Sequence, residues 1–157
     1  MMTTIFIFLH VLTAILFLGP VTVATSSFHV RALEAHEGNT RSGSVAKLLH
    51  RITNTYGMLS MLVPILGVAI MFTNTDYWSM GNFHAAIGFS VVAWALLIFL
   101  IIPRQRQMVG VLGLLDPEEV EGRSFEVKDW KTAKSQLSMF GGIFALLWVI
   151  ILLLMFL

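Results

Sequence analysis

The chain has 157 residues, enough for one domain, but 57% of them are apolar, 12% are charged, and the mean hydropathy is +0.82. That composition leaves the soluble globular class for an integral membrane protein. A net charge of +1 with no basic stripe argues against nucleic acid, and the lack of cysteine excludes disulfides, thiolate metal sites and thiol nucleophiles.

Four segments are long and apolar enough to cross a hydrocarbon core, since ~20 residues at ~1.5 Å each span ~30 Å. They run over residues 4–27, 52–73, 83–102 and 137–157, with loops 28–51 and 103–136. The first lacks the basic n-region of a secretory signal and is expected to be a retained helix. All 10 Lys and Arg fall in the two longer loops, and the short turn NTDYWSMGN has none. The positive-inside rule then places those loops in the cytoplasm and both termini outside, in the plasma membrane. The expected fold is an all-α membrane protein, an up-down bundle of four transmembrane helices.

Span one contains His10, a polar group that lipid tolerates only when it is paired or faces a cavity. Thr13, three residues on, shares its face. The following segment reads as helix to Glu37 and again from Val45, with the turn cluster GNTRSGS between, so helices one and two should project into the cytoplasm as a hairpin. His29, His36 and His50 belong to that hairpin. In span two, Pro64 should interrupt the helix and free a carbonyl for a neighbour to satisfy. Met58 and Met61, at i and i+3, suit Cu(I), but no His stands beside them and Met is a common filler of apolar gaps.

Span three opens with His84 among Gly81, Ala85, Ala86 and Gly88. Two histidines on different helices, His10 and His84, are the minimum for bis-His haem b, and the small residues leave room for a macrocycle. The bland alternative has His10 donating to a neighbouring helix and His84 at headgroup level. The second long loop carries MVGVLGLL, too short to span, then DPEE from Asp116, a capped helix start. Its acidic residues Glu118, Glu119 and Glu121 read as a solvated, self-paired cluster near Arg123. Trp130 reads as an interfacial anchor into span four, where Gly141 and Gly142 permit close helix approach. Ser138 with Gly142, and Gly81 with Ala85, make small-xxx-small steps. No unpaired charge lies in any span, which disfavours proton relays and permeases, and no hydrolase or phosphate-loop motif occurs.

The opening LHVLTAILFLGPVTVATS, the basic hairpin with LHR at Leu49 to Arg51, and the Gly- and Pro-containing second span resemble a family of small integral membrane proteins of unknown function, frequent in actinobacteria. The likeness covers about the first 100 residues. As a type of protein, the chain is also similar to accessory subunits of the actinobacterial respiratory supercomplex, in which a cytochrome bcc complex is joined to a terminal oxidase. That similarity implies a non-catalytic electron-transport subunit without a cofactor of its own, packed among lipids and a larger integral complex. His10, Thr13, Gly81, His84, Gly88, Gly141 and Gly142 are the expected packing positions, with His10 facing either the bundle or the partner. A small b-type cytochrome or quinone-contacting protein, with His10 and His84 as ligands, is the alternative.

Overall fold

The computed structural model describes all 157 residues and is entirely helical outside its turns. Four helices are long and apolar enough to cross a membrane, as expected of a multi-pass membrane protein: α1 (Met2–His36), α2 (Thr40–Thr73), α3 (Gly81–Val111) and α5 (Trp130–Leu154). A short α4 (Pro117–Val120) lies between the last two, and a 3₁₀ turn (Thr75–Ser79) joins α2 to α3.

The first two helices are 35 and 34 residues long. At ~1.5 Å per residue each reaches about 50 Å, well beyond a ~30 Å hydrocarbon core. The turn between them is shorter than GNTRSGS suggests, because Glu37, Gly38 and Asn39 suffice. Gly38 adopts φ +103°, its N–H bonds Ala35 O, and Asn39 N–H bonds Glu34 O, which closes α1 with paired reverse bonds. Asn39 then caps α2, its Oδ1 accepting from Ser42 N at 3.0 Å. Helix therefore resumes at Thr40, and Ser42 and Gly43 are buried in it. The same device ends α3, where Gly113 has φ +68°, its N–H bonds Gly110 O, and Leu114 N–H bonds Val109 O.

Three prolines lie inside the long helices, and each is met by a local change of winding. A π-turn over Ala14–Leu18 precedes Pro20, and another over Leu97–Ile101 precedes Pro103. At Pro64 the α-helical pattern breaks at Ser60 and Met61. Each disturbance includes the residue four before the proline, whose carbonyl loses its donor and meets the ring. α3 thus passes through Pro103 and runs to Val111, instead of ending near residue 102. Met108 and Val109, from the apolar run, are buried against the bundle, and Leu114 lies over Gly43. α5 likewise begins at Trp130, seven residues before the expected span, with Asp129 Oδ1 accepting from Lys131 N and Thr132 N.

Contacts between the helices run in opposite chain directions. His36 meets Trp130 while Thr25 meets Gly141, and His50 meets Gln105 while Gly57 meets Leu97. All four helices come together in the half of the bundle nearest the Lys- and Arg-bearing loops. The apolar core is concentrated there, with Val21, Phe28, Leu97, Ile101, Met108 and Phe144 each at most 1% exposed. Towards the other end the bundle divides. Met2–Thr13 packs on Leu62–Thr73, and Gly81–Leu96 packs on α5. No residue of Met2–Thr13 is buried.

Candidate functional site

His10 is held within the chain. Its Nδ1 lies 2.8 Å from Val63 O on α2, and since a carbonyl only accepts, Nδ1 carries the proton and Nε2 keeps its lone pair. The ring sits over Gly67, where an added Cβ would meet His10 Cε1 at 3.3 Å. A glycine on α2 therefore makes the seat. The carbonyl freed by Pro64, that of Ser60, takes Val63 N–H at 3.1 Å, so the expected vacancy is filled by the helix itself. Thr13, on the face of His10, bonds back to Leu9 O and His10 O at 2.9 Å and makes no interhelical bond.

His84 has other neighbours. It is exposed, its Nδ1 lies 3.2 Å from Met80 O, and its ring is edge-on to Trp78 at 5.9 Å between centroids. Trp78 also packs on Phe72 at 5.1 Å, making an aromatic cluster around the short turn. No hydrogen bond or ring contact joins His84 to His10, and their helices pair with different partners at this end.

The small residues also separate. Gly141 makes the close approach, since a Cβ there would lie 3.0 Å from Thr25 O of α1. Gly81, Gly88 and Gly142 have nothing within 4 Å of such a Cβ, and all three are exposed. Gly81, His84 and Gly88 thus lie along one uncovered face of α3. Met58 and Met61 are exposed as well.

A polar core at the basic end is the larger departure from expectation. His50 is 3% exposed and Gln105 0%, and His50 Nδ1 lies 3.2 Å from Gln105 Oε1. Both retain a buried Nε2 without a partner, as does His29 at Nδ1. Hydropathy could not reveal this pair, because both residues lie outside the four apolar segments. Its only sequence trace is helical phase: Ala46, His50, Thr53 and Gly57 share one face of α2 with buried neighbours.

The acidic loop is tied down rather than self-paired. Asp116 accepts from Lys47 Nζ at 2.9 Å and from Arg51, both on α2, and Glu119 lies 3.8 Å from Arg106. The Asp116 carboxyl is held below its ordinary range, first by the Lys47 hydrogen bond and then by Arg51. Arg123 makes no ion pair. Trp130 stacks on His36 at 4.2 Å and 7°.

Fold and site together are those of a four-helix chain compatible with a multi-pass membrane protein, in which His10 is paired within the chain while His29, His50 and Gln105 each keep a buried nitrogen without a partner. No family model, curated protein or solved structure matches the chain.

Proposed function

We propose that this chain is a non-enzymatic packing subunit of a larger membrane complex, with both termini outside and the basic loops in the cytoplasm in an up-down bundle. The observation that carries this reading is the uneven burial of α1. None of the residues Met2–Thr13 is fully buried within the chain, although the segment packs on Leu62–Thr73, and Ile5, Phe8, Leu12 and Ile15 align at i, i+3, i+7 and i+10 on one exposed apolar face. In lipid such a face gains little from hydrophobic burial, and its use is close packing against another protein helix. The exposed Gly81, His84 and Gly88 face of α3 offers a second small-residue surface. A respiratory partner, the cytochrome bcc and oxidase assembly of actinobacteria, is part of the proposal and rests on the resemblance alone.

Purification under mild detergent, with mass spectrometry and reduced-minus-oxidised spectra, tests it. Stoichiometric cytochromes that leave with their haem on stripping are expected. A lone chain with no companion would sink the proposal.

A second reading, a b-type cytochrome or quinone-contacting protein, draws on one observation. His10 and His84 each anchor Nδ1 on a backbone carbonyl, the orientation in which an imidazole presents Nε2 to a metal. Sharp reduced haem bands retained by the stripped chain, and lost in His10→Leu or His84→Leu, would favour it.

A further inference from the structure

α5 and the end of α1 enclose an open groove of about 640 Å³ at the basic end. Lys131, Lys134, Ser135 and Ser138 line it from α5, Leu33 from α1, and Met139 and Gly142 lie deeper. The α5 residues fall at i, i+3, i+4, i+7, i+8 and i+11, so they form one face about three turns long. Chemistry changes down this face in one direction, from two ammonium groups through two hydroxyls to an apolar furrow. Gly142 keeps the furrow open, having nothing within 4 Å of where a Cβ would stand.

The two ammonium groups here make no ion pair. The ion pairs of the structure join Arg31 to Glu34, Lys47 and Arg51 to Asp116, and Arg106 to Glu119, leaving Lys131 and Lys134 without a carboxylate. Asp129, near Lys131, uses its oxygens on the amides of Lys131 and Thr132 and on the Thr132 hydroxyl. Glu34, one residue beyond Leu33, is held by Arg31 and Ser42. One turn deeper than Leu33 on α1, His29 is 8% exposed, with a buried Nδ1 that has no partner.

We propose that this groove binds an anionic phospholipid, with phosphate between Lys131 and Lys134, headgroup or ester oxygens on Ser135 and Ser138, and an acyl chain along Met139 and Gly142. The inference rests on the membrane reading, which puts this end of the bundle at the depth of lipid phosphates. An acidic protein segment would satisfy the lysines but has no use for the furrow. Inorganic phosphate shares the headgroup chemistry and likewise ignores Gly142.

Native mass spectrometry of the detergent-released chain tests the site, with phosphatidylglycerol or phosphatidylcholine added in equal amounts. Phosphatidylglycerol adducts should exceed phosphatidylcholine adducts by roughly ten- to thirtyfold, as two interfacial lysines warrant. The excess should vanish in the Lys131→Gln, Lys134→Gln double variant and persist in Arg41→Gln, Lys128→Gln, which removes two other cations that make no ion pair. Gly142→Leu, which keeps both charges and fills the furrow, should also lower it severalfold. Equal adducts for the two lipids, or an excess indifferent to the lysine pair, overturns the proposal. So does displacement by millimolar inorganic phosphate with Gly142→Leu behaving as wild type, which marks a free-anion site. Circular dichroism confirms that each variant is folded, and carbonate extraction of native membranes reports insertion separately, so failure of the membrane reading is told apart from failure of the lipid site.

Discussion

The imidazole of His10 would be costly in an apolar helix, and its bond to Val63 O is what makes it tolerable. Interhelical hydrogen bonds of this kind contribute about 0.6 kcal/mol on average and up to about 1.7. His10→Leu should therefore lower the unfolding free energy read from a mixed-detergent titration by an amount in that range without preventing insertion. Gly67→Ala, which presses a methyl against the ring at 3.3 Å, should act in the same direction. Unchanged midpoints in both variants would show that the seat contributes nothing to α1–α2 association. The paired glycines of α5 give a sharper contrast. Gly141→Ala drives a methyl to 3.0 Å from Thr25 O, a backbone atom that cannot swing away, and should cost about 1–3 kcal/mol. Gly142→Ala meets nothing and should be neutral or slightly stabilising, since alanine is the better helix former by about 1 kcal/mol. The same titration reads both, and equal effects would mean that α1 and α5 do not approach as described.

At the scale of elements, Asp116 connects the loop after α3 to α2 through Lys47 and Arg51. Because its folded pKa is depressed, this tether is present above the ordinary carboxylate pKa of 3.8 and is lost as pH falls through the lower folded value. Amide exchange in residues 112–129 should therefore accelerate on acidification below the usual carboxylate range, relative to the intrinsic rate. Asp116→Asn should exchange quickly at neutral pH and show little further response to acid. In the same variant, trypsin should cut at Arg123 faster than in the wild type. Equal cleavage rates would mean that the tether does not order the loop. The prolines belong to this scale too. Their effect is absorbed by π-turns or a short break within continuous helices, and so α3 carries Gln105 into the core instead of ending at Pro103.

Across the whole molecule, the half near the basic loops is a four-helix core, while the other half is two pairs of helices. In the proposed complex the first turns of α1 would pack on a partner without disturbing Phe28, Leu97 or Phe144. Changing Ile5 and Phe8 together to tryptophan should weaken co-purification of a partner complex while leaving the unfolding free energy of the isolated chain within about 0.5 kcal/mol. Undiminished co-purification would remove this face of α1 from the proposed interface.

The sequence alone determined four apolar helices, the confinement of every Lys and Arg to the stretches between the first and second and between the third and fourth apolar segments, the interruption at Pro64 and the capped start at Asp116. These are local properties, carried by composition, length and the chemistry of single residues. Helix limits depart from that reading where the Asn39 cap starts α2 at Thr40, ahead of Val45, and where the π-turn before Pro103 lets α3 run on to Val111. Only the tertiary structure decided which polar groups meet. His10 faces Val63 and makes no hydrogen bond with His84, Gly141 packs while Gly142 stands open, and His50 and Gln105 are buried together from outside the apolar segments. Their sequence separations of 53 and 55 residues explain why. Hydropathy shows that a side chain must be paired or exposed, but its partner is chosen by the phase and approach of another helix.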